Sequence, residues 1–166
     1  MPLMIRLIQQ TDNPETARII REVLTEFEVP KKGSVYEDIS LDTMFEAYDK
    51  PRHAYFILEE NGKILGGAGI APLKNSDENI CELQKMYFSA EGRNRGWGEK
   101  MMQTCLQFSK QNGYSGCYLE TLPFMKDARK LYEKSGFKNF GAPLGNTGHF
   151  ACNVWMFLKF PENRTK

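Results

Sequence analysis

The chain has no CxxC pair, no GxxxxGK[ST] nucleotide loop, no complete GxGxxG fingerprint, no long apolar run and almost no net charge. Each absence removes a class of function. Cys81, Cys105, Cys117 and Cys152 stand apart among apolar neighbours, a pattern of reduced, buried thiols rather than of a disulfide scaffold or zinc site, so no metal is expected. Lys and Arg number 22 against 21 Asp and Glu, and the net charge of +1 gives no field for wrapping nucleic acid or coating an anionic membrane. The N-terminal MPLMIRLIQQ is broken at Arg6, short of a signal-peptide core or membrane span, so a cytoplasmic location is expected. Repeats, low-complexity tracts and linkers are missing too, and 166 residues suit one domain.

What is there reads as alternating strands and helices. Ile5 and Leu7 fit a first strand, and Thr11-Asp12-Asn13 before Pro14 is a helix start. Ile19, Ile20, Val23, Leu24 and Phe27 recur at helical spacing as far as about Glu28, where Pro30 and Gly33 act as stops. A loop is predicted over Lys31 to Asp38 and a shorter helix over Leu41 to Tyr48. Glu60-Asn61-Gly62 between the apolar runs His53 to Leu58 and Lys63 to Ile70 predicts a hairpin. Gly66, Gly67 and Gly69 in its second strand signal either a bulge or a close approach by another backbone or a ligand. Further strands are predicted over Cys81 to Phe88, Gly116 to Thr121 and Val154 to Phe160, and helices over Glu99 to Phe108 and from Met125 to a stop at Gly136. Asn75 to Asn79 reads as a polar turn, Gly141 to Phe150 as a glycine-rich connection, and Pro161 to Lys166 as a polar tail.

The most informative stretch is Arg93-Asn94-Arg95-Gly96-Trp97-Gly98, where a strand pattern meets a helix pattern. The first turn of a helix offers unpaired amides and a partial positive charge, glycine leaves the main chain uncovered, and the arginines add charge; a plain surface turn has the same composition. The RxxGxG spacing resembles the acetyl-CoA pyrophosphate loop of the GCN5-related N-acetyltransferase (GNAT) superfamily. Leu131-Tyr132-Glu133-Lys134-Ser135-Gly136-Phe137 resembles that family's LYxKxGF signature, and the order of strand, RxxGxG, helix, strand, helix and LYEKSGF is the superfamily's. Glu82 lies eleven positions before Arg93, where several members carry a catalytic carboxylate. The resemblance covers about residues 54 to 158, with residues 1 to 53 fitting the variable front portion.

The resemblance implies a single-domain α/β (α+β) fold over residues 1–166, with a mostly antiparallel, twisted central sheet splayed at the CoA site and helices on both faces. It also implies transfer of an acetyl group from acetyl-CoA, as cosubstrate, to a primary amine by direct attack in a ternary complex. Glu82 is then the candidate base, its other reading being a salt-bridged strand residue, and Glu120 on the neighbouring strand is the reserve carboxylate. Tyr132 would protonate the leaving CoA sulfur, although its helical face with Ala128 and Leu131 equally suits a core aromatic. Met86, Tyr87 and Phe88 would offer main-chain groups to the pantetheine arm. Arg93, Asn94, Arg95, Gly96, Trp97, Gly98, Glu99 and Lys100 would surround the diphosphate, with Trp97 better suited to packing and the basic residues also suited to plain solvation.

One departure is Met125, three residues before Ala128, where many members carry an asparagine that contacts pantetheine. Lys126 and Arg129 fit either the 3′-phosphate end of CoA or the solvated surface. In Gly145-Asn146-Thr147-Gly148-His149-Phe150, His149 is a candidate for the acceptor pocket, as is Glu120, and a structural histidine is the alternative. Two rival functions remain on these residues: a non-catalytic acyl-CoA-binding module, motivated by Met125, and a toxin-type acetyltransferase acting on aminoacyl-tRNA, which the near-zero net charge disfavours. The acceptor class, from small amines to a protein N-terminus, has no code here. Homodimers are common among similar proteins, and no sequence feature identifies one in this chain.

Overall fold

The computed structural model describes residues 3–76, 78–123 and 125–162. Among them run β1 (Leu3–Leu7), α1 (Asn13–Glu26), α2 (Met44–Tyr48), β2 (Ala54–Glu60), β3 (Lys63–Pro72), β4 (Ile80–Phe88), α3 (Trp97–Gln111), β5 (Gly116–Thr121), α4 (Lys126–Lys134), β6 (Lys138–Phe140) and β7 (Val154–Lys159). The strands form one sheet in the order β1-β2-β3-β4-β5-β7-β6. Every neighbouring pair is antiparallel except β4 and β5, which α3 connects as a parallel crossover. No helix of the described residues is long and apolar enough to cross a membrane.

The apolar periodicity places helices on both faces. Ile19, Ile20, Val23 and Leu24 of α1, with Met44 and Tyr48 of α2, pack on one face against Tyr55 and Ile57. Met101, Met102 and Cys105 of α3, with Tyr132 of α4, pack on the other against Leu58, Ile70, Cys81 and Leu119. The helix start at Asp12 does not use its side chain as a cap. That carboxylate instead takes a bidentate pair from Arg6 (2.7 and 3.0 Å) and the Gln9 amide (2.7 Å), tying β1 to the entry of α1.

One predicted element changes, and one strand was not predicted. The helix over Leu41 to Tyr48 is a 3-10 turn at Ile39–Asp42 followed by α2, because Thr43 at φ −131° and ψ 50° interrupts it. The connection after Phe137 contains the short edge strand β6, whose residues are all exposed and so carry no apolar alternation. Of the polar turn at Asn75 to Asn79, Asp77 lies outside the described residues, as do residues 163–166 of the tail.

The glycine run in β3 serves both readings given to it. The β3–β4 register slips between Gly67 and Gly69, so Ala68 faces an extra residue of β4. Lys85, at this point, adopts φ +50°, rare for a residue with a side chain, and the Tyr55 hydroxyl donates to its carbonyl at 2.8 Å. A Cβ on Gly66 would lie 2.3 Å from the Tyr87 carbonyl oxygen and 2.8 Å from the Phe88 Cα. Gly66→Ala should therefore lower thermal stability by about 2 kcal/mol or more, since main chain must move to admit one methyl group. An unchanged melting temperature would show that the β3–β4 contact is looser than described.

Candidate active site

β4 and β5 pair only at Ile80 with Gly116, Cys81 with Cys117 and Glu82 with Tyr118. Beyond Glu82 the strands part, and the bulge at Lys85 turns β4 away, so the β5-facing side of Met86, Tyr87 and Phe88 opens onto a cleft. One part of the cleft is a groove of about 650 Å³ between the end of α1 and the starts of α3 and α4, lined by Val23, Phe27, Met86, Tyr87, Phe88, Arg93, Asn94, Gly96, Gly98, Glu99, Met125 and Tyr132. Beside α2 lies a second depression, lined by Asp38, Tyr48, Glu82, Gln84, Lys85, Thr147 and His149. Between them a narrow passage of about 50 Å³ shares Met86, Tyr87, Met125 and Tyr132 with the groove and Glu82, Gln84, Lys85 and His149 with the depression.

At the head of the groove, Gly96 takes φ +79° as the residue before α3, and Asn94 takes φ +58°. Among the described residues the amides of Asn94, Arg95 and Gly96 find no main-chain acceptor, and no side chain caps the helix. The helix start thus leaves these donors unpaired, an arrangement that suits an anion. Gly96 is required for its positive φ, with open space where a Cβ would stand, whereas a Cβ on Gly98 would come within 3.1 Å of Leu131 Cδ2. The second glycine of the motif therefore also lets α4 pack against α3.

The predicted diphosphate residues are not all brought to the groove. Arg93 lines it but is committed: its guanidinium donates to both oxygens of Glu26 (2.6 and 2.8 Å), its Nε to the Phe88 carbonyl (2.8 Å), and it lies over the Phe27 ring. Arg95 turns outward to Glu60 at 2.8 Å. Trp97 packs against the α3 core with Lys100 over its ring, and neither lines the groove. Glu99 lines the groove mouth and pairs with Lys134. Met125 precedes α4 without capping it, and Thr121 Oγ1 contacts its sulfur at 3.9 Å.

In the passage, Glu82 is only 4% exposed and accepts a hydrogen bond from Gln84 Nε2 at 2.6 Å. Burial pushes its carboxyl up to about 7, the Gln84 amide holds it down, Glu120 adds to the rise, and His149 and Lys85 offset it. Glu120 accepts from the Tyr118 hydroxyl (2.7 Å) and from Thr147. Across the passage, the buried Tyr132 packs edge-on to Phe137, and burial pushes its phenol up to about 12. Cys152 also lines the passage, and burial pushes its thiol to about 12, so it stays protonated.

Sequence reasoning missed Asp38, Tyr48, Gln84 and Lys85. Asp38 accepts from His149 Nε2 at 2.8 Å and from Lys85 Nζ at 3.0 Å, joining the segment before α2, the connection before β7 and the bulge of β4. Burial raises the Asp38 carboxyl, but the His149 hydrogen bond and the Lys85 charge outweigh it and leave it below its ordinary value. For His149 burial lowers the imidazole and the Asp38 contact more than restores it, so the net shift is upward. This pair stabilises the fold fully below the unfolded histidine value of about 6.5 and is lost as pH rises through the raised folded value. In an NMR titration the His149 ring should change protonation above about 6.5, and Asp38→Asn should bring it down. A wild-type midpoint at or below that value would contradict the pairing.

Against known proteins, residues 18–137 match the model of the Acetyltransferase (GNAT) family. The uncharacterized N-acetyltransferase YjgM of Escherichia coli K12 is 44% identical over 156 residues, 93% of either chain. Among solved structures, a GNAT-family acetyltransferase from Staphylococcus aureus superposes with a TM-score of 0.85 at 20% identity, covering 95% of this chain and 99% of its own. A GNAT-superfamily phosphinothricin acetyltransferase from Sinorhizobium meliloti, solved with acetyl-CoA, superposes with a TM-score of 0.76 at 18% identity, covering 100% of this chain and 93% of its own. The sheet that parts after Glu82, the bare helix start at Gly96 and the match over residues 18–137 agree, and the chain belongs to the GNAT family of N-acetyltransferases.

Proposed function

We propose that the chain transfers an acetyl group from acetyl-CoA to a primary amine by direct attack in a ternary complex, with Glu82 as base and Tyr132 as proton donor. The observation that carries this reading is the passage: it lies between a groove headed by unpaired amides and the depression beside α2, sharing residues with each, and a carboxyl and a phenol line it. The groove fits the donor chemically. The free amides of Asn94, Arg95 and Gly96 suit the diphosphate, and the unpaired β5-facing edge of Met86 to Phe88 suits the amides of the pantetheine arm.

A primary amine reaches the depression beside α2 mostly as an ammonium. A carboxyl held at about 7 by burial is half ionised near neutrality and still basic enough to take a proton from it, directly or through one water. The freed nitrogen attacks the thioester carbonyl and the C–N bond forms; as collapse breaks the C–S bond, the extra proton on the adduct's nitrogen replaces the one that Tyr132 gives to the sulfur, and the proton on Glu82 leaves to solvent. Tyr132 keeps its proton throughout the working range, so it meets the departing thiolate first as a hydrogen-bond donor. Full transfer from a phenol at about 12 to a thiol of roughly 8.5 is uphill and completes as the product leaves. A thiol intermediate is disfavoured, because Cys152, the cysteine that lines the passage, holds its proton to about 12.

The test is thiol release from acetyl-CoA across a panel of primary amines. With the best amine, kcat/KM should fall on the acid side with a midpoint near 7, as Glu82 takes up its proton. Glu82→Gln should lower kcat by about 10²- to 10⁴-fold and abolish that limb, with acetyl-CoA affinity retained. Tyr132→Phe should lower kcat more than it alters affinity. A wild-type pH profile in Glu82→Gln would remove the base assignment, and no turnover on any amine would leave a binding module.

A further inference from the structure

We infer that Gln84 and Tyr48 are positioning residues that hold Glu82 in its proton-accepting orientation, an inference that rests on Glu82 being the base of the proposed transfer. The Tyr48 hydroxyl donates to Gln84 Oε1 at 2.6 Å, and Gln84 Nε2 donates to Glu82 Oε1 at 2.6 Å. The direction of this chain is fixed by its far end. Tyr48 is 6% exposed, and burial, then the charges of Glu82 and Asp38, push its phenol well above the ordinary value, so it can only be protonated. A phenol proton needs an acceptor, which makes the Gln84 carbonyl face Tyr48 and the Gln84 NH₂ face Glu82. The flipped amide would set carbonyl lone pairs against the carboxylate, an arrangement tolerable only when Glu82 carries a proton and cannot act as a base.

The sequence builds this chain from a feature the catalytic reading leaves unused. Gln84 is the register partner of Gly69 in the glycine-rich strand β3. A Cβ at Gly69 would stand 2.8 Å from Tyr48 Cε1 and 2.9 Å from Cζ, so the missing side chain is what admits the Tyr48 ring. Tyr55, tilted against Tyr48 with ring centroids 5.3 Å apart, pins the neighbouring bulge through the Lys85 carbonyl. Helix α2, the bare stretch of β3 and the bulged β4 thus converge on one carboxyl oxygen.

Other groups also face Glu82: Lys85 on β4, Glu120, Tyr118 and Cys117 on β5, and His149 and Cys152 from the connection before β7, with Asp38 bound to His149 and Lys85. Substitutions at Gln84 and Tyr48 leave all of these in place. Loss of the Gln84 donor removes a hydrogen bond to the ionised carboxylate alone, so the Glu82 midpoint must rise.

Two readouts test this, the ¹³C carboxyl titration of Glu82 by NMR and the acid limb of kcat/KM for thiol release from acetyl-CoA with the best primary amine of the panel. Gln84→Leu should move both midpoints upward by about one pH unit, and Tyr48→Phe should move them the same way by less. Gln84→Met serves if the leucine variant does not fold. Midpoints that stay put in these variants, even with activity lowered at every pH, would mean a merely structural role and overturn the inference. If the carboxyl titration shifts while the acid limb does not, and Glu82→Gln retains that limb, the base assignment has failed and the inference with it.

Discussion

The structure depends on one break in hydrogen bonding: β4 and β5 run parallel for three residue pairs and then part. An extra residue in β4, opposite Ala68 and next to the left-handed Lys85, turns the strand just beyond Glu82. A sheet interior would otherwise pair its main-chain groups, and leaving them open is tolerable only where a ligand or water can take their place. The bare strand edge, the bare helix start at Gly96 and the passage between them follow from that parting. GNAT family membership agrees with this frame.

The bulge also concentrates charge. Glu82, Gln84 and Lys85 all reach the same side of β4 because the extra residue breaks the two-residue alternation of a regular strand. Lys85 then shares Asp38 with His149, so two segments that carry little regular structure are tied to the sheet by ionic hydrogen bonds. Among the described residues Glu82 has no cation within hydrogen-bonding distance, only the neutral Gln84 amide, so the rise that burial imposes on its proton affinity is only partly offset. A carboxylate paired directly with Lys85 would be held ionised and would be a poor base.

Much of the frame was legible in the residues. The short strand-like run of Gly116 to Thr121, the Asn-Gly turn after Glu60 and the apolar spacing of Ile19 to Phe27 each encode an element through local geometry, and each forms. The groove's head was legible through Gly96, because a positive φ before a helix calls for that residue. The bulge was not, since nothing in Gln84-Lys85-Met86 marks a left-handed lysine; the three glycines opposite were its only trace. Asp38 and Tyr48 escaped notice because their roles arise from contacts with Lys85, His149 and Gln84 distant in sequence, which no periodicity reports. Arg95 and Lys100 show the converse: a basic residue beside a phosphate-type loop points wherever its nearest partner lies, here Glu60 and the Trp97 ring.

The most direct measurement is a crystal structure of the protein soaked with acetyl-CoA. The expected density has the diphosphate on the amides of Asn94 to Gly98, the pantetheine arm along Met86 to Phe88, and the acetyl carbon in the passage between Glu82 and Tyr132. A donor bound with its thioester outside that passage, or a β4–β5 cleft closed by strand pairing, would contradict the account at its root.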